Sequence, residues 1–142
     1  MPSPRSRRKQ RATVLLVEDE APLRSASRQA LEREGYTVLV AEDGPDALAV
    51  ATAFSGPIDI LVTDMVLPGL RGRDLAACLL SKRPAMRILY MTGYPDDDCF
   101  APDPRVEHAC VLHKPFNLGQ LADAVLSALR RADSERRQSV GP

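Results

Sequence analysis

The sequence predicts one α/β domain, a (βα)5 doubly wound sheet of five parallel strands with helices on both faces. Five short apolar runs recur along it, at 13–17, 38–41, 58–62, 88–91 and 109–112. They are continuous rather than alternating, as in strands buried on both faces. Helical patterns fill most of the gaps. The length of 142 residues suits one domain.

The elements follow in order. After the first strand, Leu23, Ser27, Ala30 and Leu31 mark a helix that Gly35 closes. Ala47, Leu48 and Ala51 mark a second, with Pro45 in its first turn. Leu75, Ala76 and Leu79 mark a third, which ends before Pro84. The fourth gap is irregular. Pro102 and Pro104 interrupt any long helix there, so at most two short turns are expected over 95–101. The final helix is the clearest: Leu118, Leu121, Ala122, Val125, Leu126 and Leu129 form one stripe, and Asn117 can cap it.

Residues 1–12 and 133–142 are polar and are expected to be disordered, leaving 13–132 as the domain. The net charge of zero conceals an asymmetry. The arm 1–12 carries five basic groups and no acid, while the body 13–132 holds 12 basic and 17 acidic residues. An acidic body argues against nucleic acid as a partner, and the arm reads as a solvated terminus. No apolar run approaches the ~20 residues of a membrane span. The basic start is not followed by an apolar stretch, so a secretory signal is not expected. The three cysteines (Cys78, Cys99, Cys110) have no paired spacing, which favours a reducing cytoplasm. Cys78 and Cys110 are expected to be small core residues. His108, Cys110 and His113 do not share one face of a strand, so a transition-metal site is not expected. The run Asp96-Asp97-Asp98 reads as a solvated helix start.

Ligands of an open parallel sheet bind beyond the carboxyl ends of its strands. The first strand ends in Glu18-Asp19-Glu20, the third in Thr63-Asp64, the fourth in Thr92 and the fifth in His113-Lys114-Pro115. The right-handed crossover rule brings these ends to one edge. Glu18, Asp19 and Asp64 are hard oxygen ligands suited to Mg²⁺. A carboxylate such as Asp64 can also attack phosphorus and form an acyl phosphate. Lys114 supplies a point charge for a phosphoryl oxygen, and Thr92 a hydrogen bond for another. Taken singly, Asp64 reads equally well as a turn aspartate, and Glu18-Asp19-Glu20 as an acidic helix start. The five together, in order, point to chemistry.

The set resembles the receiver domain of two-component response regulators, the family of the bacterial chemotaxis regulator. The motifs that carry it are Val14-Leu15-Leu16-Val17-Glu18-Asp19-Glu20, Leu61-Val62-Thr63-Asp64-Met65-Val66-Leu67-Pro68-Gly69-Leu70-Arg71-Gly72, Tyr90-Met91-Thr92-Gly93-Tyr94 and Leu112-His113-Lys114-Pro115-Phe116. Ala41-Glu42-Asp43-Gly44 also matches. The resemblance covers about 13–132 and implies a flavodoxin-like strand order 2-1-3-4-5. It implies that Asp64 is the phosphoacceptor, and that Glu18, Asp19, Asp64 and the backbone carbonyl of Val66 bind Mg²⁺. Thr92 is then the switch hydroxyl and Lys114 the family lysine, with a cis Lys114-Pro115 peptide. It further implies a histidine kinase or histidine phosphotransfer protein as phosphodonor, a downstream protein as readout, a monomer or weak homodimer, and no turnover activity.

Three departures stand out. Val111 occupies the place of the switch aromatic, for which Tyr94 is a candidate substitute. In members of the family the positions of Val66 and Tyr94 flank the path of the hydrolytic water, and an apolar pair there predicts slow self-dephosphorylation. The fourth helix is broken by prolines. The wording around Thr92 and Asp64 is similar to receivers at the C-terminus of hybrid histidine kinases, so the chain reads as a stand-alone receiver or an excised piece. The rival readings are a phosphorylation-independent pseudo-receiver, a haloacid-dehalogenase-type hydrolase and a DNA-binding regulator. The hydrolase is disfavoured because Val66 stands where its second Asp belongs.

Overall fold

The structure, a computed structural model, describes residues 12–93, 104–106 and 108–139. Along the chain run β1 (Thr13–Val17), α1 (Ala21–Arg33), β2 (Thr37–Ala41), α2 (Gly44–Ala53), β3 (Ile60–Asp64), α3 (Gly72–Lys82), β4 (Arg87–Thr92), β5 (Cys110–His113) and α4 (Leu118–Ser139). The five strands form one sheet in the order β2-β1-β3-β4-β5, and every pair is parallel. The turns expected over 95–101, Asp96, Asp97, Asp98, Cys99 and Tyr94 lie outside the described residues, as does the arm through 11.

The continuous apolar strands divide by parity, because successive side chains point to opposite faces. Leu15, Val17, Leu61, Ile88 and Tyr90 face one side, where α2 and α3 cover them with Ala47, Ala51, Leu75, Ala76 and Leu79. Val14, Leu16, Ile60, Val62, Leu89 and Met91 face the other, under Leu31 of α1 and Leu121, Val125 and Ala128 of α4. A fully buried leucine such as Leu31 contributes about 1.5–3 kcal/mol relative to exposure.

The helix ends follow local chemistry. Gly35 (φ 98°) takes the left-handed conformation after α1, where Glu34 and Gly35 donate N–H bonds to Leu31 and Glu32. Asp43 caps α2 by accepting the Asp46 N–H at 2.8 Å. Asn117 and Gln120 form a reciprocal capping box at α4, each side chain accepting the other's backbone N–H at 2.8 Å.

Four expectations need correction. Ile58 is buried but precedes β3, which starts at Ile60 and runs on to Asp64. The edge strands are not buried on both faces. In β5, Cys110 and Leu112 are half-buried while Val111 and His113 are exposed, since an edge has one neighbouring strand. Cys78 is exposed, not in the core, because it falls about a third of a turn off the inward stripe of α3; Cys110 is intermediate. Finally, α4 runs past 132 to Ser139. Residues 132–138 are Ala, Asp, Ser, Glu, Arg, Arg and Gln, with no Gly or Pro to stop a helix.

Candidate functional site

The sheet register assembles the site. Val17 is level with Thr63, and Asp64 with Met91, so Glu18 and Asp64 leave adjacent strands side by side. Thr92 is level with His113, and the Lys114 N–H donates to the Thr92 carbonyl at 2.7 Å. Glu18 is kept in line by its own N–H, which donates to Ala41 O at 3.1 Å.

One carboxylate oxygen from each of Glu18, Asp19 and Asp64 falls within 4.8 Å of the others. Glu18 is 1% exposed and Asp64 5%, while Asp19 is open to solvent. Lys114 Nζ reaches in to 2.7 Å from Asp64 Oδ1 and 3.5 Å from Glu18 Oε1. The Lys114-Pro115 peptide is cis. Thr92 is buried at the end of β4. The Val66 side chain, by contrast, is 62% exposed in the loop after β3. Glu18, Asp19, Asp64 and Lys114 therefore meet, Thr92 adjoins them through the β4–β5 register, and Val66 contributes no buried side chain.

The electrostatics follow from burial. Burial pushes the Glu18 carboxyl up to about 8; its hydrogen bond with Asp64 and the negative charge there push the same way, against Lys114. Burial pulls the Lys114 ammonium down, but its hydrogen bond and charge interaction with Asp64, with help from Glu18, carry it above its ordinary value. Three carboxyl groups thus share one ammonium. Glu18 Oε2 is buried with no hydrogen-bond partner among the described residues. Such an atom is costly without a donor or a cation. Hard oxygen donors with an orphaned lone pair suit a small divalent cation.

Two contacts are invisible in the spacing of the motifs. A Cβ on Gly72 would collide with the carbonyl oxygen of Asp64 and lie 3.0 Å from Met65 Cα. Gly72 N–H donates to Met65 O at 3.0 Å, so α3 starts directly against the end of β3. A Cβ on Gly44 would lie 2.5 Å from Leu70 Cβ, so α2 seats the loop that follows Asp64. The glycines themselves are legible as part of the motifs; the backbone they admit is not.

Comparison with known proteins agrees with this architecture. Residues 14–126 match the family model of the response regulator receiver domain. The chain is 38% identical over 122 residues to the sensor kinase CckA of Brucella abortus, covering 86% of this chain but 13% of that protein. A cyclic di-GMP phosphodiesterase of Thermotoga maritima is 30% identical and is spanned over 31% of its length. The receiver protein CpdR of Brucella abortus is 34% identical over 118 residues, 79% of this chain and 92% of that one. Among solved structures, a receiver domain protein from Clostridium thermocellum superposes with a TM-score of 0.74 at 28% identity, over 86% of this chain and 97% of that one. CheY4 of Vibrio cholerae gives 0.74 at 27% identity, over 82% and 98%. With its strand order and acidic pocket, the chain belongs to the response regulator receiver domains, the phosphoacceptor modules of two-component signalling.

Proposed function

We propose that Asp64 is the phosphoacceptor and that the chain takes its phosphoryl group from a phosphohistidine, or from a small phosphodonor. The observation that carries this reading is the ion pair of Asp64 with Lys114 at 2.7 Å inside a cluster of three carboxylates. An Asp64 oxygen attacks phosphorus as the phosphorus–nitrogen bond breaks, and the departing imidazole nitrogen keeps the electron pair and takes a proton. The Lys114 ammonium neutralises charge on a phosphoryl oxygen, and the Thr92 hydroxyl donates to another. Glu18, Asp19, Asp64 and the Val66 carbonyl would hold Mg²⁺, which when bound supplies the remaining charge neutralisation.

Receiver domains work with kinases and downstream proteins, and a sensor kinase among the relatives supports a kinase as phosphodonor here. Among the described residues no helix is long and apolar enough to cross a membrane; we assign the chain to the cytoplasm, as a monomer or weak homodimer without turnover activity. Phosphorylation shifts an equilibrium between two surface states that a partner reads.

Acetyl phosphate and Mg²⁺ test this by intact mass. The expected result is one added phosphoryl group, absent without Mg²⁺ and absent in Asp64→Asn. A folded wild type that takes no phosphoryl group would support a phosphorylation-independent interaction module instead.

A further inference from the structure

Arg24 lies in α1, one helical turn beyond the acidic end of β1. We propose that its side chain is a positioning group for the cation site, holding the peptide unit that joins Glu18 to Asp19. Its guanidinium Nη1 donates to the carbonyl oxygen of Glu18 at 2.8 Å. Its backbone N–H donates to the carbonyl oxygen of Glu20 at 2.9 Å, the first bond of α1, which both variants below keep. Asp19 sits between those two carbonyls. The Glu18 N–H is anchored on β2 through Ala41 O, so the sheet holds one side of Glu18 and the Arg24 guanidinium holds its carbonyl, where Asp19 begins.

This matters most for Asp19. Glu18 and Asp64 are fixed by burial and by Lys114, whereas Asp19 is the exposed member of the cluster. An exposed side chain keeps its rotamer freedom, so the direction of its carboxylate depends on its backbone. A bond from a charged donor is stronger than one between neutral groups, and the planar fork fixes its direction.

Charge alone predicts the opposite effect. A guanidinium near an acidic cluster repels a divalent cation, so its removal would tighten binding. A holding role predicts that removal loosens it. The inference rests on the reading of Glu18, Asp19 and Asp64 as a Mg²⁺ site.

The experiment is Mg²⁺ binding by calorimetry, and the Mg²⁺-induced rise in Tm, for the wild type, Arg24→Ala and Arg24→Lys. Acetyl phosphate labelling is followed against Mg²⁺ concentration in parallel. In Arg24→Ala the Kd for Mg²⁺ rises about tenfold, equivalent to ~1.4 kcal/mol. Its labelling rate returns to the wild-type value at saturating Mg²⁺. Arg24→Lys keeps the charge but loses the fork, and its Kd rises about threefold. Should the alanine variant not fold, the lysine variant carries the test. A wild type that binds Mg²⁺ while either folded variant binds it as tightly or more tightly would overturn the role of Arg24 alone. A folded wild type with no response to Mg²⁺ would overturn the site reading, and this inference with it.

Discussion

The Lys114 ammonium lies 2.7 Å from Asp64 Oδ1, although the two residues come from strands separated by β4. The long lysine side chain spans that gap and brings its charge into the acidic pocket, 2.7 Å from Asp64 and 3.5 Å from Glu18. Among the described residues it is the single ammonium beside these three carboxyl groups.

Replacing Lys114 with Ala leaves Asp64 and Glu18 facing each other without a counter-charge. We expect a stability loss of about 1–3 kcal/mol at neutral pH, the range for hydrogen bonds to charged groups. Because the ammonium is partly solvent-exposed, the lower half of that range is expected. Urea denaturation measures it. Mg²⁺ should recover part of the loss, since it supplies the missing positive charge.

The raised pKa of Glu18 makes the stability of the metal-free protein pH-dependent. The folded protein holds a proton to about pH 8 that the unfolded chain releases near 4.5. The stabilisation from this group is therefore complete below about 4.5 and is lost as pH rises to about 8. Glu18→Gln should flatten that part of the profile in urea titrations at several pH values. For the same reason Mg²⁺ binding should strengthen up to about pH 8 and release a proton, which calorimetry in buffers of different ionisation enthalpy reads.

Gly72→Ala is expected to be costly. The new methyl group would meet the Asp64 carbonyl, which is backbone and cannot swing away. Overpacking of this kind costs about 1–3 kcal/mol. It also displaces Asp64, the proposed phosphoacceptor, so labelling by acetyl phosphate should slow. Gly93→Ala is the control, since among the described residues nothing lies within 4 Å of its added Cβ; its stability should change by less than ~0.5 kcal/mol. Equal Tm values for the two variants would contradict the packing argument.

Val66, two residues after Asp64, has an exposed apolar side chain that can offer no hydrogen bond to an attacking water. The phosphorylated wild type should persist for minutes or longer. Val66→Gln, with an amide that can orient water, should shorten that lifetime several-fold. Phosphate release followed over time decides it, and loss within seconds from the wild type would contradict the expectation.

Much of this protein is written locally in its chain. The five apolar runs, the stripe of α4 and the signals at Gly35, Pro45 and Asn117 specify strands and helices through short-range periodicity and capping. The order of the elements, with the crossover rule, brings the polar strand ends to one edge, so Glu18, Asp19, Asp64, Thr92 and Lys114 are readable as a set. Where local signals stop, the tertiary structure decides. Cys78 turns outward because the inward stripe of α3 is set by the sheet beneath it, not by the size of a cysteine. The partial burial of β5 follows from its place at an edge. The raised pKa of Glu18 depends on how completely packing excludes water from it and on the nearby Asp64, against the pull of Lys114, a property of the packed site rather than of residue type. The collision awaiting a side chain at Gly72, and the reach of Arg24 to the Glu18 carbonyl, are contacts between backbone groups and neighbours that no spacing encodes. The chain by itself determined which elements form and which chemical groups they carry. Only the packed structure decided which of those groups lose their water, and so what charge and direction each one holds.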